Sequence, residues 1–358
     1  MNPPYRADHV GSLLRPEPLR RAFRAHSAGE ISERAFIAAQ DEAIRDAVRM
    51  QEELGLHAIT DGEFRRASYW SHFVEGIHGL RVAQARFDFT DESGDRLHFL
   101  APRVAGSLAR KRSLSGIEFD FLKNATERTP KITMPSPPTL HFWDAAGDLN
   151  ASFDDIARIF REEIADLAER GCSYIQLDDV PLAMLCDPNL RERLTREGDD
   201  PQKLLDRYVD LFNASLAGRP RSMTVALHVC RGNFKGHYLS EGGYDWVAER
   251  LFADIDVNAY FLEFDTPRAG DFGPLRHLPK MKSVVLGLIS SKTPELEGRD
   301  AVKRRIDAAA QIVPAERLAL SPQCGFASAV SGNPVTYEDQ VAKLRRVVEV
   351  ARDVWGQA

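Results

Sequence analysis

His228 and Cys230 end a run, Met223–Cys230, that is mostly apolar and of strand length, and Gly232-Asn233 follow at once. Such a run reads as a buried parallel strand. In a strand residues i and i+2 share a face, so the imidazole and the thiol project together from its C-terminal end. That pair is half of a tetrahedral soft-metal site, which takes its other ligands from Cys, His or carboxylate. Two later runs end in the same way. Tyr260–Asp265 delivers Glu263 where apolar character stops, and Leu318–Phe326 delivers Cys324 just before Gly325. If the three strand ends meet, His228, Cys230, Glu263 and Cys324 make one zinc site. Cys172 and Cys186 read instead as small buried hydrophobes.

The elements that must position these groups recur along the chain. Strands are expected near residues 5–12, 56–61, 131–134, 172–178, 223–230, 259–264, 283–289 and 317–323. Helical spacing of apolar residues runs from Ser32 to Leu54 and stops at Gly55. A capping-box-like start at Ser152-Phe153-Asp154-Asp155 opens a second helix. Further helices are expected over Leu204–Leu216, Asp245–Ala253, Asp300–Ile312 and from Thr336 onward. Residues 80–110 alternate around Asp91-Glu92-Ser93-Gly94 and predict a β-hairpin excursion. Eight strands alternating with helices predict an α/β fold of the (β/α)8 TIM-barrel type, one domain over residues 1–358, with the hairpin inserted. Reactive residues follow the strands, which in a barrel is the catalytic face.

Composition narrows the function classes. With 358 residues, 43% hydrophobic and 28% charged, the chain has ordinary globular composition. A net charge of −6 gives no support for nucleic-acid or anionic-membrane partners. No apolar run approaches the ~18 residues of a membrane span, and Met1–Arg6 has no signal core. Four cysteines are too few for a disulfide framework, so a reducing, cytoplasmic setting is expected, with a homo-oligomer left open.

The ordered set Val10-Gly11-Ser12, Gly62-Glu63, Pro135-Ser136-Pro137, Ile175–Asp178, His228-Val229-Cys230, Glu263 and Pro322–Gly325 resembles the catalytic domain of cobalamin-independent methionine synthase. The short, single-domain relatives of that enzyme are more similar still. The resemblance spans essentially the whole chain. It implies zinc-dependent methyl transfer to a thiol, homocysteine in the best-known case, from methyltetrahydrofolate or a methyl-corrinoid donor. It also implies that Ser12, Glu63 and Asp178 hold the amino-acid end of the substrate, with the ammonium on Glu63 and Asp178.

Three departures bear on the donor. The chain is expected to lack the N-terminal half of the two-domain enzymes, which helps frame their site. Lys292 stands where those enzymes have a histidine taken as general acid, and Asp179-Val180-Pro181 replaces their Glu-Pro. An amine of pKa ~10.4 donates a proton poorly at neutral pH unless burial lowers it. These departures favour a corrinoid over a folate donor, since cobalt leaves without a proton, whereas burial of Lys292 would restore an acid. His72, His141 and His237 are the histidines weighed as substitutes. Two other readings stay open: a zinc-thiolate alkyltransferase or C–S or ether lyase on another thiol, and a non-catalytic zinc protein. Residues 80–130 are the expected lid or dimer surface.

Overall fold

Six parallel strands, nearly all of their residues buried, make the centre of the molecule: Ile132–Pro135, Tyr174–Asp179, Thr224–Val229, Ala259–Glu263, Ser283–Ile289 and Leu318–Pro322, hydrogen-bonded in that order. The computed structural model describes residues 5–143 and 152–358. Burial on both faces explains why these segments read as near-continuous apolar runs. The register places Pro135 opposite Asp178, Asp178 opposite His228, and His228 opposite Phe261. Asp178 and His228 are therefore lateral neighbours, although 50 residues separate them in the chain.

The sheet continues weakly at both edges. Beyond Leu318–Pro322 a parallel bridge joins Ala7 to Leu320, with Asp8 N–H donating to Leu320 O at 3.0 Å. Beyond Ile132–Pro135 the same chain segment, at Thr129–Pro130, pairs in parallel with Ala58–Ile59. The expected strands 5–12 and 56–61 are thus a one-residue bridge and a two-residue strand. Polar side chains consume the backbone groups that a ladder would use. His9 N–H donates to Asp8 Oδ1 at 2.7 Å, and Thr60 N–H donates to Gln51 Oε1 at 2.9 Å. The two segments meet through Thr60 Oγ1, which donates to Gly11 O at 2.7 Å, and Leu13 N–H, which donates to Gly62 O.

Helices pack outside the sheet and end where local chemistry stops them. Glu33–Leu54 starts under the Ser32 side chain, which accepts from Ala35 N–H, and stops at Gly55 with φ +93°. Tyr337–Trp355 begins with a full Thr336/Asp339 capping box. Phe153–Glu169 forms as expected, but Ser152 makes no side-chain cap, because its own backbone is already helical. Asp245–Ala253 divides into a 3-10 turn, Tyr244–Trp246, and a helix, Ala248–Asp254. Helices Glu17–Ser27, Gly116–Ala125 and Pro188–Arg196 were not anticipated.

The excursion is a double hairpin. Ile77–Gln84 pairs antiparallel with Leu100–Arg110, and Phe89–Thr90 pairs with Arg96–Leu97 at its tip. Among the described residues no helix is long and apolar enough to cross a membrane.

One close approach sets where two strand ends lie. A Cβ on Gly287 would sit 2.7 Å from Leu262 O and 2.8 Å from Gln323 Cα, the neighbours of Glu263 and Cys324. Gly287→Ala is expected to lower stability by about 1–3 kcal/mol, read as a drop in the urea midpoint; an unchanged midpoint would show that the strands are free to separate.

Candidate active site

At the C-terminal ends of the parallel strands lies a cavity of about 630 Å³. Ser12, Glu63, Asp178, His228, Cys230 and Cys324 all line it, so residues chosen from five separate stretches of sequence share one space. A Nε2 or Nδ1 of His228 and the two sulfurs lie within 4.8 Å of one another. His228 Nδ1 is 3.3 Å from Phe261 O, and Nε2 has no hydrogen-bond partner. A ring held through Nδ1–H presents the Nε2 lone pair, the usual posture of a ligating histidine. The Cys230 and Cys324 sulfurs are 3.8 Å apart. The hydrogen bond from Cys230, opposed by burial and aided by His228, pushes the Cys324 thiol well below its ordinary pKa. Burial resists charge on His228, yet its neighbour Cys324 and the carboxylates Asp178 and Glu263 raise its pKa. This donor set fits a soft divalent ion, and the chain carries a possible His/Cys metal site.

Local sequence explains how the three ends are fixed. Gly325 O accepts from Asn233 Nδ2 at 2.9 Å and from Ser291 Oγ at 2.9 Å, joining the Cys324 loop to the loops that follow the His228 strand and the Ser283–Ile289 strand. A Cβ on Gly325 would fall 1.9 Å from Ser12 Oγ, so glycine lets the first segment reach the cavity.

Glu263 is held differently from the other three expected ligands. Its Oε2 accepts from Arg231 N–H at 2.8 Å, and its Oε1 lies 3.3 Å from Lys292 Nζ. Burial would protonate it, but Lys292 and Arg231 reverse that and lower its pKa. Lys292 is buried too. Burial disfavours its charge, but Glu263 and Asp265 outweigh that and raise its pKa above the ordinary lysine value. The expectation that burial would make Lys292 an acid at neutral pH is therefore corrected: the carboxylates beside it hold its proton.

Glu63 and Asp178 face the cavity with capacity to spare. Glu63 Oε1 accepts from Thr133 Oγ1 at 2.7 Å, while its buried Oε2 has no partner. Its backbone sits at φ +61°, a conformation that non-glycine residues rarely adopt and that marks functional positions. Asp178 Oδ1 accepts from Gln176 Nε2 at 2.7 Å. Burial raises both carboxyls, Asp178 to about 7.

The rest of the wall comes partly from the expected lid, residues 80–130, and partly from a loop that the sequence did not single out. Tyr69 and Trp70 come from a loop that bridges Ser68 to Ala329, and Phe89, Phe99 and His98 come from the hairpin. Arg15, nearly fully buried, clamps this wall by donating to the Glu63, Arg66 and Ala329 carbonyls. His72, buried, and His141, half-buried, lie outside the cavity lining, and loss of solvent first, then nearby arginines, lowers both, His141 to about 4. His237 also lies outside the lining.

The family model for the cobalamin-independent synthase catalytic domain matches residues 7–353. The chain belongs to that family. It is an enzyme of the methyltransferase class. Two proteins of Bacillus subtilis, the uncharacterized YxjG and YxjH, are each 38% identical, over 99% and 98% of this chain and 95% of their own lengths. The 5-methyltetrahydropteroyltriglutamate–homocysteine methyltransferase of Mycobacterium leprae is 24% identical over 98% of the chain, which spans only 43% of that longer protein. A Listeria monocytogenes structure, provisionally described as a vitamin-B12 independent methionine synthase, superposes with a TM-score of 0.77 at 32% identity, covering all of both chains. A B12-independent methionine synthase from Shewanella sp. W3-18-1, in complex with selenomethionine, shares the fold with a TM-score of 0.73 at 18% identity, over 98% of this chain and 97% of that one.

Next to Asp178, Asp179 is wholly buried, accepts from Ser136 Oγ at 2.6 Å and Leu182 N–H at 2.7 Å, and is pushed by burial to about 7. A carboxyl raised from ~3.9 favours the folded state below that value, and the contribution is lost as pH rises through 7. Asp179→Asn should therefore flatten the fall in stability between pH 4 and 7 by roughly 2–4 kcal/mol. Denaturant titrations at pH 4.5 and 7.5 test this, and identical slopes in variant and wild type would count against it.

Proposed function

We propose that the chain transfers a methyl group to the thiol of an amino-acid substrate, homocysteine, to give methionine, at a zinc ion held by His228, Cys230, Cys324 and Glu263. The observation that carries this reading is the shared cavity, in which a His/Cys/Cys cluster faces two carboxyls suited to an ammonium. A structural zinc site has no need of Ser12, Glu63 and Asp178 beside it, which disfavours a non-catalytic zinc protein. The architecture proposed is a single-domain (β/α)8 barrel whose weakest seam is the junction of residues 5–12 with 56–61. The free cysteines agree with a reducing, cytoplasmic setting.

Zinc, when bound, would lower the pKa of the substrate thiol and present it as a thiolate at neutral pH. Glu63 Oε2 and Asp178 would bind the substrate ammonium and so fix the distance from the amino acid's α-carbon to the metal cluster. Ser12 would hold the carboxylate end. Lys292 and Arg231 keep Glu263 ionised, so Glu263 would offer zinc a carboxylate that is also held by a second cation. Asp178, raised to about 7, is a lining residue able to exchange a proton near neutrality.

The sulfur attacks the methyl carbon while the donor keeps the bonding electron pair. A folate nitrogen left in this way must take up a proton, whereas a corrinoid cobalt needs none. Because the carboxylates hold the proton on Lys292, a methyl-corrinoid donor needs the least from this site. The decisive assay offers homocysteine with each donor, methyltetrahydropteroyltriglutamate and methylcobalamin; methionine from neither would overturn the assignment.

Two variants probe the parts separately. Cys230→Ser and Cys324→Ser exchange a soft thiolate for a hard alcohol and should each lose zinc while the protein stays folded, read by metal content and circular dichroism. Zinc content equal to that of wild type in both would rule these ligands out. Glu63→Gln or Asp178→Asn should weaken homocysteine binding by about 2–4 kcal/mol with zinc content unchanged. An equal loss for a simple alkyl thiol would show that these residues do not read the amino group.

A further inference from the structure

A second group of metal-ligating side chains lies outside the catalytic cavity, at the tip of the hairpin. His237 Nε2 is 3.6 Å from Asp91 Oδ2 and 3.6 Å from Asp95 Oδ2, and the three atoms fall within 4.8 Å of one another. A separation of 3.6 Å is long for a hydrogen bond. It is close to the ~3.4 Å between two ligands that each sit ~2.1 Å from a tetrahedral ion.

Each ligand is aimed by its own turn. Phe234 and His237 exchange backbone hydrogen bonds around Lys235-Gly236, whose φ values of +53° and +83° are those of a tight two-residue hairpin turn. His237 Nδ1 is 3.2 Å from Lys235 O, which fixes the ring and leaves Nε2 buried without a hydrogen bond. Asp91 Oδ1 accepts from Ser93 N–H, Ser93 Oγ and Asp95 N–H at 2.7–2.9 Å, so Oδ2 is the oxygen turned toward His237. The two turns are joined through Thr90 and Tyr238, whose backbones exchange hydrogen bonds at 2.7 and 2.8 Å.

We propose that His237, Asp91 and Asp95 bind a divalent first-row transition ion, such as Zn(II), which clasps the hairpin to the loop that follows the Thr224–Val229 strand. One nitrogen and two carboxylate oxygens suit such an ion, with water completing its shell on the exposed side. The clasp joins two walls of the catalytic cavity, since Phe89 and Phe99 come from the hairpin and Phe234 and Leu239 from the loop. It does not depend on the reaction proposed above.

The test uses the full chain, stripped with a chelator and titrated with Zn(II) by calorimetry. Wild type should take up two equivalents, and His237→Ala and Asp91→Asn one each. Cys324→Ser should keep the equivalent that these variants lose, which separates this site from the cysteine cluster. Trypsin adds a second readout at Arg96, which is exposed in the hairpin tip. Zn(II) should slow cleavage there at least several-fold in wild type and Cys324→Ser, but not in His237→Ala. The same number of equivalents in His237→Ala as in wild type, or equal protection in His237→Ala, would overturn the proposal.

Discussion

Buried charge at the strand ends is the constraint on which the rest of this structure depends. Glu63, Asp178, His228, Glu263 and Lys292 are all almost completely removed from water. An isolated buried ion is prohibitively unfavourable, so each must be paired, hydrogen-bonded or kept neutral. The molecule uses all three solutions within one region. Lys292 pairs with Glu263, Arg66 pairs with Glu118 and approaches Glu63, and Asp178 stays poised near neutrality. Among the buried atoms left unmatched are one oxygen of Glu63 and one nitrogen of His228, which a cationic substrate group and a metal would engage.

The parallel register converts that constraint into geometry. With Asp178 directly opposite His228, one carboxyl of the proposed ammonium site and one member of the His/Cys cluster are held on adjacent strands. Gly287 admits the close approach of Leu262 and Gln323 on the flanking strands, and Gly325 that of Ser12 to the Cys324 loop, while Glu263 itself stays outside the cavity lining. Below the site, Lys131 bridges Asp8 and Gln176, and Gln176 in turn orients Asp178. Support for one reactive carboxyl thus passes through the interior of the sheet to the first segment of the chain.

Residue types and their periodicity determined the parts of this protein that are local. Apolar runs of strand length gave all six central strands to within two residues, because a doubly buried strand must be apolar throughout. His228, Cys230 and Cys324, which meet at one cavity, likewise stand where such runs end, whereas Glu63 and Asp178 were singled out by the family resemblance rather than by pattern. Tertiary structure decided what depends on distance. Residues 5–12 look like a strand, yet their donors are taken by Asp8 and by partners far along the chain. Lys292 was legible as a residue, but the direction of its pKa shift depends on Glu263 and Asp265, which only folding brings beside it. The cavity wall from Tyr69, Trp70 and the hairpin, and the meeting of Asp91 with His237, are contacts between surfaces with no periodic signal. Hydrophobic pattern is written along one segment, whereas a pairing of side chains exists only once two segments share a space.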